Sequence, residues 1–217
     1  INVGKILFLE TKDGFYSYIS GMYNSLRKFC DEVILFNRKD NYFRYGKDAM
    51  NKRFLELIKK EKPDFIFTWL TWDEFYLETL INIKKISPIT KTVVIFGDDI
   101  HQFDDFSRYY VLFFDYAFTT LRSYLPKYQK EGIQSVFFTS LTSLSNFKYT
   151  DIQKIYDVTY IGTPKDNKSR YDLIKFLKEN KVNIKIFGTG WDKFPEFKDI
   201  YGGLLNHDEM VKITNQS

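Results

Sequence analysis

The stretch YDVTYIGTPKDNKSRYDLIKFLKENKVNIKIFGTGW, residues 156–191, decides the fold. An alternating apolar segment ends at Gly162, a polar loop leads to a helix start near Asn167, and a second apolar segment ends in Gly188, Gly190 and Trp191. Strand, loop, amphipathic helix and strand in that order make a β-loop-α-β unit, two parallel strands joined by a crossover helix. The residues in front of it suffice for a complete αβα domain of ordinary size, about 100–150 residues. The sequence therefore predicts two αβα domains, 1–150 and 151–217, the second incomplete and the chain trimmed at both ends.

Working back from that unit, apolar segments alternate with amphipathic ones: KILFLE (5–10), DEVILFN (31–37), DFIFTWL (64–70), TVVIFGD (92–98), YAFTTL (116–121) and SVFFTSL (135–141). Strands that are apolar throughout are covered on both faces, as in a parallel sheet between helix layers. Right-handed crossovers then give a doubly wound, Rossmann-like domain. Lys62-Pro63 and Ser87-Pro88 each end a helix, because the residue before a proline is pushed out of the helical region. Residues 143–155 are polar and irregular, and the domain boundary is expected there.

Composition narrows the class. The 22 Phe and 16 Tyr against 3 Met predict a strongly aromatic core. Lys plus Arg total 32 and Asp plus Glu 28, with the signs interleaved, which is no nucleic-acid footprint. The single cysteine, Cys30, cannot form an internal disulfide and reads as a bystander at the end of an apolar helix in a reducing compartment. No apolar run is long enough to span a bilayer, so a cytoplasmic protein without a transmembrane segment is expected.

In an open α/β sheet, ligands bind outside the carboxyl ends of the strands. Glu10 to Gly14 follow the first strand, Trp69, Trp72 and Asp73 the third, and Asp98, Asp99 and His101 the fourth. Two carboxylates and a histidine at a strand end can supply a general base or orient a hydroxyl, though an Asp there can equally cap the next helix. A receiver-type phosphoacceptor fits poorly, since no strand-end lysine accompanies Glu10. With two histidines and one cysteine no ligand-spaced metal pair exists, although Asp98 and Asp99 can hold a divalent cation through substrate phosphates. In the second unit, the loop after Gly162 offers backbone amides to an anion, with Arg170 in reach of the same phosphate. Gly188 and Gly190 permit close backbone approach, and Trp191 is expected to pack beneath that turn.

The DD strand end, DYAFTT with YQKEGI, YDVTYIGTP followed by an arginine, IFGTGW and YGGLLNHDEMVKITNQS together resemble the CgeB-type family of GT-B glycosyltransferases over about residues 60–217. The resemblance implies a GT-B arrangement of the two Rossmann-like domains, with a nucleotide-sugar donor in the interdomain cleft. It assigns the donor diphosphate to Gly162 and Arg170, the turn beneath the nucleotide to Gly188, Gly190 and Trp191, and the border of the base to Tyr201-Gly202-Gly203 and His207. Asp98, Asp99 and His101 fall on the acceptor side, where a base deprotonates the acceptor; Gly14, Trp69 and Trp72 share that side. The family's pattern continues past Ser217 into further donor contacts, so a protein ending there is expected to bind donor poorly.

The leading expectation is transfer of a sugar from a nucleotide-sugar substrate to a glycan, protein-linked or lipid-linked hydroxyl in bacterial glycan synthesis, with no cofactor and no metal. A GT-B-shaped sugar-nucleotide epimerase is the second reading, which two histidines disfavour. A non-catalytic module that recognises a glycan or partner through Trp69 and Trp72 is the third. The sequence does not fix the oligomeric state.

Overall fold

Parallel pairing organises both parts of the chain. A computed structural model describes residues 3–10, 17–140, 147–164 and 168–217. Two compact units divide it, Ile1–Ser145 and Asn146–Ser217.

In the first unit β1 (Val3–Phe8) is followed by α1 (Ser17–Phe29), β2 (Cys30–Leu35), α2 (Arg38–Glu61), β3 (Phe65–Leu70), α3 (Leu77–Ile86) and β4 (Lys91–Phe96). Short turns of helix follow, α4 (Asp99–Gln102), a π turn (Phe103–Ser107) and α5 (Arg108–Tyr110), before β5 (Tyr116–Thr119), α6 (Leu125–Lys130) and β6 (Val136–Phe138). The six strands form one sheet in the order β2-β1-β3-β4-β5-β6, and each neighbouring pair is parallel. The chain moves outward from β1 to β2, returns across β1 to β3, and then continues the other way. Right-handed crossovers put α1 on one face and the later helices on the other, so the topological switch lies between β1 and β3.

The main core fills the face beneath the later helices. Leu7, Leu9, Ile66, Leu70, Val94, Phe96 and Ala117 from the strands meet Met50, Phe54 and Ile58 of α2 and Leu80 and Ile83 of α3. The helix ends follow their prolines: α2 stops with Lys62 in the left-handed region (φ 44°) before Pro63, and α3 stops with Ser87 non-helical (φ −141°, ψ 81°) before Pro88. The opposite face is an aromatic row that includes Phe8 stacked on Phe67 (centroids 5.8 Å) and Phe118 beside Phe137 (6.0 Å). Two-sided burial fails at the edge, where Phe137 and Phe138 of β6 are 48% and 40% exposed. Cys30 opens β2 instead of closing a helix, half-buried, and burial raises its thiol pKa above the ordinary value, with Asp31 adding to the effect.

The second unit runs β7 (Val158–Ile161), α7 (Lys168–Glu179), β8 (Ile184–Phe187), two single 3-10 turns (Trp191–Lys193 and Pro195–Phe197) and α8 (His207–Asn215). β7 and β8 are parallel, Val158 opposite Ile184 and Ile161 opposite Phe187, and Tyr201 adds a parallel bridge to Ile186. Ile174, Ile184, Ile186, Trp191 and Phe197 form its core. Asn206 and Glu209 close a reciprocal capping box at the start of α8, Glu209 N–H donating to Asn206 Oδ1 (3.0 Å) and Asn206 N–H to Glu209 Oε2 (2.7 Å). Among the described residues no helix is long and apolar enough to cross a membrane.

The ends of β7 and β8 approach each other where a side chain would not fit. Gly188 has φ +120°, and a Cβ there would lie 2.3 Å from the carbonyl oxygen of Gly162. Gly188→Ala combines a forbidden backbone with a clash against main chain, so it should cost at least about 2 kcal/mol. Urea unfolding followed by Trp191 fluorescence is expected to show that loss, whereas Gly132→Ala, strained alike at φ +81° with nothing within 4 Å of its Cβ, should cost less.

Candidate functional site

At the end of β4 the adjacent carboxylates take different roles. Asp99 is 1% exposed, and its oxygens accept from three hydroxyls: Ser107 Oγ (2.5 Å) and Tyr128 OH (2.9 Å) on Oδ1, and Thr119 Oγ1 (2.5 Å) on Oδ2. The π turn brings Ser107 to this position, β5 supplies Thr119 and α6 supplies Tyr128. Burial pushes the Tyr128 phenol far above its ordinary pKa, so it stays a donor. Asp99 thus ties three elements together inside the unit, away from solvent. Asp98 is exposed, and although it stands at the N-cap position its side chain makes no capping bond. His101 is exposed one turn further on, its N–H bonded to the Asp98 carbonyl (2.9 Å). Of the three residues, Asp98 and His101 are the ones that a solvent-borne group can reach.

The tryptophans separate in the same way. Trp69 is 9% exposed and its ring lies over Gly97, where an added Cβ would meet Trp69 Cζ2 at 2.4 Å. Its role is packing. Trp72 is 45% exposed, with the Lys39 ammonium 5.4 Å from its ring centroid. Gln102 Nε2 donates to the Thr71 carbonyl (2.7 Å), linking the loops after β3 and β4. Gly14 lies outside the described residues. Among the described residues no three His, Cys, Asp or Glu side chains gather as a metal ion would need.

A feature that sequence reading passed over sits at the ends of β1 and β3. Arg38, the first residue of α2, is 1% exposed and ion-paired with Glu10 (2.6 Å) and with Glu74. Burial holds its guanidinium below the ordinary pKa while Glu10 acts in the opposite direction. One arginine among 32 basic residues carries no mark in the sequence; the only clue is its place just after a strand end.

In the second unit the strand-end residues do converge. The Gly162 carbonyl accepts from Trp191 Nε1 (2.8 Å), Gly162 N–H donates to the Phe187 carbonyl (2.9 Å), and Gly188 N–H donates to Gly203 (2.9 Å). Trp191 is 1% exposed with Tyr160 and Phe197 edge-on at 5.8 and 5.5 Å, so it supports the turn from below. Arg170 Nη1 donates to the Thr163 carbonyl (3.3 Å), which ties an exposed guanidinium to the loop after β7. Above these residues lies a depression of about 600 Å³ lined by Thr163, Pro164, Thr189, Gly190, Asp192, Lys193 and Phe194. Gly190, at φ +92°, borders Pro164 there. Asp192, Lys193 and Phe194 escaped sequence reading, although they directly follow the GTGW turn.

His207 lies elsewhere. It is the first residue of α8, edge-on to Phe147 (5.7 Å), and lines a separate hollow with Thr150, Ile152, Asp208, Val211, Lys212 and Gln216. Its Nδ1 is shielded from solvent without a hydrogen-bond partner among the described residues.

No family model matches the chain, and no curated protein matches it in sequence. Solved structures do. A lipopolysaccharide outer core galactosyltransferase, WaaB, in its apo form superposes with a TM-score of 0.58 at 12% identity, covering 96% of this chain and 70% of that one. The UDP-N-acetylglucosamine 2-epimerase from Rickettsia bellii gives 0.57 at 13%, covering 99% and 72%, and the UDP-GlcNAc 2-epimerase from Methanocaldococcus jannaschii 0.55 at 14%, covering 96% and 75%. The fold is that of the GT-B superfamily. Identity this low carries the GT-B fold alone, and the GT-B neighbours include both a transferase and epimerases.

Asp99 and Asp98 can be separated by stability. Asp99→Ala strands three buried hydroxyls and should cost about 3 kcal/mol or more, while Asp98→Asn should change stability by less than about 0.5 kcal/mol. Urea midpoints of the two variants check this.

Proposed function

We propose that the protein is an enzyme acting on a nucleotide sugar, and that it transfers the sugar to an acceptor hydroxyl. The observation that carries this reading is the depression at the ends of β7 and β8, walled by glycine turns and flanked by Lys193 and the loop-bound Arg170, in a chain with the GT-B fold. Two cations beside free strand-end backbone suit a diphosphate, and they stabilise the charge that develops on the leaving nucleoside diphosphate. In the first unit Asp98 or His101 takes the proton from the acceptor oxygen as it attacks the anomeric carbon. The acceptor is a glycan or a protein-linked or lipid-linked hydroxyl, the donor is a substrate, and no cofactor enters this chemistry. The CgeB-type transferases are the family this reading favours, in bacterial surface-glycan synthesis in the cytoplasm.

Epimerisation of the sugar nucleotide is a second reading, favoured by the structural likeness to two UDP-GlcNAc 2-epimerases at nearly the TM-score of the transferase. Removal and return of a proton at C2 would leave deuterium in UDP-GlcNAc recovered from heavy water, which transfer would not.

Thermal unfolding with UDP, GDP, dTDP and ADP tests the nucleotide site directly, because a ligand of the native state raises apparent stability by about 2.7 kcal/mol at one hundred times its Kd. One of the four is expected to raise the melting temperature, and Arg170→Ala to abolish the rise. No shift with any of them, in this chain and in a longer one, would sink the nucleotide-sugar reading.

A further inference from the structure

Every hydrogen-bonding arm of Arg38 goes to the ends of the two central strands. Nε donates to the Leu9 carbonyl (3.2 Å), Nη2 to Glu10 Oε1 (2.6 Å) and to the Trp69 carbonyl, and Nη1 pairs with the Glu74 carboxylate. Glu10 and Glu74 are 2% and 1% exposed. Since β1 and β3 are neighbours and flank the topological switch, one guanidinium clamps the two strand ends where a ligand crevice forms.

A buried arginine with two carboxylates is a poor way to hold a fold, since apolar residues of equal volume commonly do as well or better. What the cluster adds is direction, through a planar fork that fixes both ends at once. A second set of contacts continues along α2, beyond its kink at Gly46. Asn51 Nδ2 donates to the Glu74 carbonyl (3.1 Å) and Asn51 Oδ1 accepts from Tyr76 N–H (3.1 Å). Lys47 reaches Asp73 (3.1 Å), and Tyr76 OH donates to Asp48 (2.5 Å). Between these anchors stands the half-exposed Trp72. A loop so tied, presenting an indole at the carboxyl edge, is preorganised for a ligand.

We propose that Arg38, with Glu10 and Glu74, is a positioning residue that holds the Trp72–Asp73 segment in a binding-ready conformation for a sugar-bearing acceptor. The acceptor part rests on the function proposed above; the positioning part does not.

The test compares the full chain with two variants, Glu74→Gln alone and Arg38→Met/Glu10→Gln/Glu74→Gln, which removes the charges together. Hydrogen exchange of amides 71–76 is expected to quicken by at least about tenfold in both, while β4 and β5 amides and the urea midpoint hold. Acrylamide quenching of Trp72, read as the difference from Trp72→Phe, should rise in parallel. Arg38→Lys keeps the charge but cannot span both carboxylates and both carbonyls, so it should not restore protection. Unchanged loop exchange, or a rise spread evenly over the first unit, overturns the proposal. If the triple variant does not fold, Glu74→Gln decides by the same criteria. Where turnover of a sugar nucleotide is found, KM for the acceptor should rise and KM for the donor should not; the reverse pattern overturns the acceptor assignment. Absence of nucleotide binding defeats the proposed function and leaves the exchange result standing.

Discussion

Parallel pairing is the constraint on which everything else here depends. Parallel neighbours deliver every strand-end loop of a unit to one edge, and the side chains able to do chemistry are gathered there without being adjacent in sequence. Glu10, Trp72 and Asp98 reach the same edge from segments dozens of residues apart because β1, β3 and β4 lie side by side. In the second unit the same rule brings Thr163 and Thr189 to one depression from either end of α7.

The architecture was legible because it is written in periodicity. Each apolar segment from KILFLE to SVFFTSL became a strand within a few residues of its expected bounds, and the lysine and serine before Pro63 and Pro88 ended helices for the steric reason given. Burial was less legible. An apolar run looks the same at the centre of a sheet and at its edge, so the exposure of Phe137 on β6 could not be read from VFF.

Site residues were legible by position and illegible by role. Strand-end logic picked out Asp98 and Asp99 together, yet one residue of offset turns the first outward and the second inward to hydroxyls at positions 107, 119 and 128. Those partners are distant in sequence and chemically ordinary, so no local pattern announces them. The same holds for Arg38, whose importance lies wholly in what surrounds it. Conversely Gly162, Gly188 and Trp191 were singled out for a ligand, and the geometry gives them to each other: their contacts shape the floor of the depression, while its walls come from Pro164, Asp192 and Lys193.

The π turn at Phe103–Ser107 has a consequence for how this lineage can vary. A single wider turn holds one residue more than a regular helix would, and removing a residue rotates everything after it by about 100°. Between Asp99 and Ser107 the spacing is therefore locked. Related chains one residue shorter in this segment should have lost either the buried aspartate or the hydroxyl that meets it, so a simple gap in an alignment would report a rebuilt interior without any strand having changed.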